Sequence, residues 1–146
     1  MNFLFVSHIK KINITNLTRN QLTLELQALG LKPYISTQIW QWIYKKGKID
    51  FFEMSNVSKL NIRILQDNFV FNNYQINNPK TSFDGTIKFL VKMPDLNEVE
   101  SVYIPEETRA TLCISSQIGC TLSCKFCHTG TQTLVRNLEP AEIISQ

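Results

Sequence analysis

All four cysteines of the chain (Cys113, Cys120, Cys124 and Cys127) fall in one short segment, and none precedes Cys113. A disulfide framework spreads its staples across a small fold, whereas a cluster confined to one loop braces almost nothing. The remainder must therefore fold by burying apolar surface. With 146 residues, 43% of them hydrophobic and 18% charged, it has the composition to do so. The length suits one domain, or a small domain and part of a second. In a reducing compartment such clustered thiols point to metal binding or redox chemistry, and the cytoplasm is the expected location because neither a membrane span nor a signal segment is read in the sequence. No stretch approaches the roughly 18 uninterrupted apolar residues of a membrane span. The apolar run within residues 1–10 is too short for a signal segment and has no positive residue before it.

Charge divides the chain unevenly. Residues 1–48 carry seven Lys/Arg against Glu25 alone, and residues 49–146 carry eight Lys/Arg against eleven Asp/Glu. A basic front part suggests a region that meets a polyanion, although a solvated helical surface would read the same way. Trp40, Trp42 and Tyr44 beside Lys45, Lys46 and Lys48 could stack on RNA bases and hold phosphates. Of these, Trp40 is expected in the core and Trp42 at the surface.

Periodicity changes along the chain. Thr18 and Gln21 fit a capping box, Leu22, Leu26 and Leu29 follow at helical spacing, and Gly30 supplies a stop. A second helix is expected from Ser36, burying Ile39, Trp40 and Ile43 and ending near Gly47. A third is expected from Ser55 or Asn56, with Val57, Leu60 and Ile64 on one face. Residues 86–93 and 98–104 are rich in β-branched and aromatic side chains and predict a hairpin across the turn 94–97. Residues 109–116 predict another strand. Residues 139–146 open a helix with Pro140 in its first turn. That pattern of one strand, a cysteine loop and a helix start is expected of an N-terminal piece of a longer protein.

Cys120-Thr-Leu-Ser-Cys124-Lys-Phe-Cys127 is a C-x3-C-x-Φ-C run. Three thiolates can hold three irons of a [4Fe–4S] cubane and leave the fourth open. S-adenosylmethionine can chelate an open iron, and one electron then cleaves it to a deoxyadenosyl radical. The aromatic Phe126 before the last cysteine is usual in radical-SAM sequences and places that residue beside the cofactor. Zinc is the nearest competitor, with His128 or Cys113 as a fourth ligand, but structural zinc sites usually pair two separated knuckles.

The surrounding residues carry a resemblance. Val102-Tyr-Ile-Pro-Glu106, the run from Arg109 through Gln117-Ile-Gly-Cys120, Cys124-Lys-Phe-Cys127-His-Thr-Gly130 and Arg136-Asn-Leu138 strongly resemble the RlmN/Cfr family of radical-SAM RNA methyltransferases. Gln38-Ile-Trp-Gln-Trp-Ile-Tyr44 and Phe52-Glu-Met-Ser55 also look like the accessory domain of its RlmN branch. The resemblance implies an α+β fold: a small N-terminal helical domain, a β-hairpin, and the first β/α unit of a truncated radical-SAM partial (β/α) barrel. The corresponding segments are 1–70, 71–108 and 109–146. It implies methylation of adenine carbon 2 in ribosomal and transfer RNA through a methyl-cysteine, with an electron donor for the cluster. Cys120, Cys124 and Cys127 correspond to the cluster ligands, and Glu100 to the base that takes the proton from carbon 2. Cys113 corresponds to the thiol that resolves the RNA adduct by forming a disulfide. The family's methyl-carrying cysteine lies near the far end of the full protein and has no counterpart here. The 146 residues alone are thus expected to be inactive, and a separate C-terminal half could complete them. The reading from another class is a non-catalytic RNA-binding module with a zinc-braced knuckle. A gene remnant without function is a third.

Overall fold

The computed structural model describes residues 11–122 and 124–146. Residues 1–10, read above for a signal segment, lie outside them. The chain divides into two compact units that meet at Phe71 and Asn72.

The first unit is helical. Helix α1 (Arg19–Ala28) opens on the expected capping box: Gln21 N–H donates to Thr18 Oγ1 at 3.3 Å, and Thr18 N–H to Gln21 Oε1 at 2.9 Å. Its end is a Schellman motif, with Leu31 N–H on Leu26 O and Gly30 N–H on Gln27 O, both at 2.9 Å. Gly30 sits at φ +77°, which a residue with a Cβ adopts only at a cost. Helix α2 (Tyr34–Tyr44) begins two residues earlier than expected, directly after Pro33, and buries Ile35, Ile39, Trp42 and Ile43. Helix α3 (Lys59–Asn68) starts later than expected, because the Ser58 hydroxyl accepts from Asn61 N–H and caps it there. Its inner face is Ile62 and Leu65, while Leu60 is 69% exposed, so the expected face was rotated. Strand β1 (Ile12–Asn13) pairs in parallel with β2 (Phe69–Val70) and ties the two ends of the unit together. Ile14, Leu22, Leu26, Ile39, Met54 and Leu65 are the most deeply buried. Each such side chain contributes about 1.5–3 kcal/mol by leaving water.

The second unit is built on an antiparallel sheet in the order β3 (Gln75–Thr81), β4 (Ile87–Lys92), β5 (Glu98–Pro105), β6 (Ala110–Cys113). The expected hairpin is thus the middle of a four-stranded sheet, and β6 pairs antiparallel with β5. Val91, Met93, Val99, Ile118 and Leu138 form its core. Beyond β6, strand β7 (Gln117–Ile118) pairs antiparallel with β8 (Arg136–Asn137), pinching off the cysteine segment as a loop. Helix α4 (Pro140–Ile144) follows, with Pro140 in its first turn as expected. Gln146 then fastens the end of the helix: its amide donates to Ser115 O at 2.7 Å and accepts from Ser115 N–H and Ser101 Oγ. Among the described residues no helix is long and apolar enough to cross a membrane.

Candidate functional site

Register decides what shares a face of the sheet. Glu100 stands opposite Leu90, and Val102, two residues on, stands opposite Cys113. Side chains two apart on a strand emerge on the same side, so Glu100 and Cys113 are diagonal neighbours on one face. Cys113 is exposed there rather than filling the core. Lys88 Nζ lies 2.8 Å from Glu100 Oε2, and both side chains are about half exposed. Ser115 Oγ donates to the Glu100 carbonyl at 3.0 Å, holding the β5 backbone at that point.

This face borders a cavity of about 420 Å³. Lys88, Leu90, Glu98 and Glu100 line it from the sheet. Ser115, Gln117, Gly119, His128, Thr129 and Gln132 line it from the cysteine segment. The size lies in the range of small-molecule sites, and the walls carry several hydrogen-bonding groups and both signs of charge.

The cysteine loop is closed by backbone. Cys120 forms a parallel bridge with Thr133, and its N–H donates to Gln132 O at 3.2 Å. Gly119, at φ +77°, packs so tightly that a Cβ would lie 2.1 Å from Thr133 O. A Cβ on Gly130 would lie 2.8 Å from both Cys124 N and Cys124 O. Cys127 N–H donates to Cys124 O at 3.1 Å, turning the chain between the last two thiols. Phe126, within that turn, is 94% exposed.

The donor chemistry fits an iron–sulfur cluster. Cys120, Cys124 and Cys127 are free, half-buried thiols on one pinned loop, and Leu122 N–H already donates to Cys120 Sγ at 3.4 Å. Their sulfurs do not converge: among the described residues no group of three or more His, Cys, Asp or Glu side chains is placed to hold a metal ion. Cys113 is also free, so the disulfide implied for it has no partner among these four thiols.

Sequence reasoning missed Lys88, because cross-strand neighbours depend on a register that the sequence does not state. It also gave Arg136 no role. The guanidinium holds Glu142 through two bonds, at 2.7 and 2.8 Å, and Asp95 through Nε at 2.8 Å. It thereby ties β8 to α4 and to the β4–β5 turn. The aromatic assignment was inverted. Trp42 is only 9% exposed and donates from Nε1 to Asn56 Oδ1 at 2.6 Å, whereas Trp40 is half-buried against Tyr44.

The structure superposes on a radical SAM methyltransferase from Sphaerobacter thermophilus with a TM-score of 0.82 at 30% identity, over 92% of this chain and 40% of that one. Residues 12–69 match the model of the ribosomal RNA large subunit methyltransferase N-terminal domain. The dual-specificity RNA methyltransferase RlmN of Ruegeria sp. (strain TM1040) is 50% identical over 140 residues, which are 93% of this chain and 35% of the relative. The RlmN of Granulibacter bethesdensis is 47% identical over 136 residues, 92% of this chain and 34% of that protein. The fold thus falls with methyltransferases of the radical SAM type. Over almost all of its length the chain is similar to the N-terminal portion of RlmN proteins, and it spans about a third of the length of the curated relatives it matches.

Proposed function

We propose that these residues are the front part of a radical-SAM methyltransferase acting on carbon 2 of an adenine in ribosomal and transfer RNA. The observation that carries the reading is the shared sheet face of Glu100 and Cys113, bordering a cavity that the cysteine segment also lines. Cys120, Cys124 and Cys127 would hold a [4Fe–4S] cluster, with Phe126 beside S-adenosylmethionine. When bound, the cluster supplies one electron, taken from a separate donor, to cleave S-adenosylmethionine.

The chain's own residues have distinct tasks. Adenine carbon 2 is not nucleophilic, so a methylated adduct there must afterwards lose a proton and a protein link. The Glu100 carboxylate, oriented by Lys88 toward the cavity, accepts that proton. The exposed Cys113 thiolate, on the same face, would attack the sulfur of the methyl-carrying cysteine: an S–S bond forms, the C–S bond to the RNA adduct breaks, and its electron pair goes to the former methylene carbon, which takes a proton and becomes the methyl group. β6 and α4 would open the partial β/α barrel. The methyl-carrying cysteine has no counterpart among the four thiols, so the 146 residues by themselves do not complete methyl transfer. A C-terminal half, in the same chain or a separate one, supplies that cysteine.

Anaerobic reconstitution with iron and sulfide tests the reading. The expected result is a brown protein with about four irons per chain, lost in Cys124→Ala. A colourless protein binding a single zinc would instead support the RNA-binding module with a zinc-braced knuckle.

A further inference from the structure

The helical unit carries a second cleft, of about 470 Å³, between the turn that holds Phe52 and helix α3. Its floor is apolar, from Met54 and Ile62. One wall is Lys59, Arg63 and Gln66, spaced at i, i+4 and i+7 so that all three project from one face of α3. The other is the ring of Phe52, 75% exposed although it is among the largest apolar side chains of the unit. Among the described residues no carboxylate lines the cleft. Glu53, next to Phe52, is held by Lys48 at 2.8 Å, while no ion pair among the described residues engages Lys59 or Arg63.

An exposed flat ring, an apolar floor and two unpaired cations complement a ligand that is planar and apolar on one side and anionic on the other. A nucleotide of a single-stranded RNA has that form. Its base can stack on an aromatic face while its phosphates meet Lys and Arg. An acidic peptide would satisfy the cations and leave the ring and floor wet. The surrounding unit favours a polyanion as well, with eight Lys/Arg against four Asp/Glu over residues 11–71.

We propose that this cleft binds one unpaired nucleotide of an RNA strand, with Phe52 as the stacking platform and Lys59 and Arg63 as phosphate contacts. The choice of RNA among polyanions rests on the methyltransferase reading; the cleft itself does not.

The test uses the 146-residue chain without iron and a fluorescently labelled single-stranded RNA oligonucleotide, followed by anisotropy over a salt series. Phe52→Ala should weaken binding about tenfold. The pair Lys59→Glu and Arg63→Glu should weaken it further and flatten the salt dependence by about two counterions. Lys32→Glu, outside the cleft, should change it less than about threefold. Phe52→Trp should keep the affinity and show quenching of its own emission on binding. Phe52, Lys59 and Arg63 are exposed, so unchanged circular dichroism is expected for all variants.

Failure of the parent chain to bind the oligonucleotide would overturn the proposal. So would full retention of affinity in Phe52→Ala, including the case where heparin binds as well as RNA. Iron uptake is measured separately, so loss of the cluster reading and loss of the cleft are distinguishable outcomes.

Discussion

Arg136 grips Glu142 with two parallel hydrogen bonds, at 2.7 and 2.8 Å, across the proline-started turn between β8 and α4. Glu142 is 4% exposed, so its charge depends on this partner. The same carboxylate accepts from Glu139 N–H at 2.8 Å and closes the first turn of α4. The hydrogen bonds from Arg136 hold Glu142 below the usual carboxylate range, against burial, which would raise it. Burial acts in the same direction on Asp95, where the bonds from Arg136 and Asn97 outweigh it.

Acid should therefore loosen α4 first. A carboxyl with a depressed folded pKa contributes stability that is fully present above its unfolded value, about 4.3, and lost as pH falls through the folded one. Glu142→Gln should remove that acid-sensitive part and cost about 2 kcal/mol at pH 7, since it leaves the guanidinium half-paired beside a buried amide. Urea unfolding at pH 7 and pH 3.5 measures both. An unchanged pH dependence in the variant would exclude Glu142 as its source.

Two glycines share φ +77° but not their surroundings, and substitution should separate the two contributions. Around Gly30 nothing lies within 4 Å of an added Cβ, while at Gly119 it would meet Thr133 O at 2.1 Å. Gly30→Ala should cost about 1 kcal/mol from the backbone conformation alone. Gly119→Ala must also push the Thr133–Leu134 backbone away and open the cysteine loop. It should cost at least about twice as much and lower iron uptake. Equal losses of stability in the two variants would mean that the loop does not depend on this close approach.

Much of the helical unit was legible because its signals are local. The capping box at Thr18 and the Leu22–Leu26 spacing operate within one or two turns. Strand β3 was not legible. Gln75–Thr81 is largely polar, contains Asn78 at φ +49° and Pro79, and shifts register there. It is an edge strand held by pairing with β4, and such pairing leaves no apolar alternation to read. The site was partly legible. The cysteine spacing lies in one loop, but the meeting of Glu100 with Lys88, and of both with the segment carrying His128, depends on strand register and loop closure.

Thiol reactivity should separate Cys113 from the other three. Cys113 is exposed at the end of β6, while Cys120, Cys124 and Cys127 are half-buried and assigned to the cluster. In the reconstituted protein under anaerobic conditions, iodoacetamide should label one cysteine per chain, and peptide mass spectrometry should locate it at Cys113. Cys113→Ser should keep the full iron content. Protection of Cys113 together with any two of the others would reassign the ligands.

The inverted tryptophans provide a stability test within α2. Trp42 is buried, donates to Asn56 Oδ1 at 2.6 Å, and carries Lys46 Nζ 3.4 Å above its ring. Trp42→Phe removes the donor and leaves unfilled space beside Ile39 and Ile43, for an expected cost of about 2 kcal/mol. Lys46→Ala removes only the cation and should cost about 0.5 kcal/mol. Trp40 packs on Tyr44 with ring centroids 4.1 Å apart but remains partly solvated, so Trp40→Phe should cost less than about 1 kcal/mol. Urea titrations of the three variants give the ranking directly. A larger loss for Trp40→Phe than for Trp42→Phe would restore the opposite assignment, with Trp40 in the core and Trp42 free to meet a ligand.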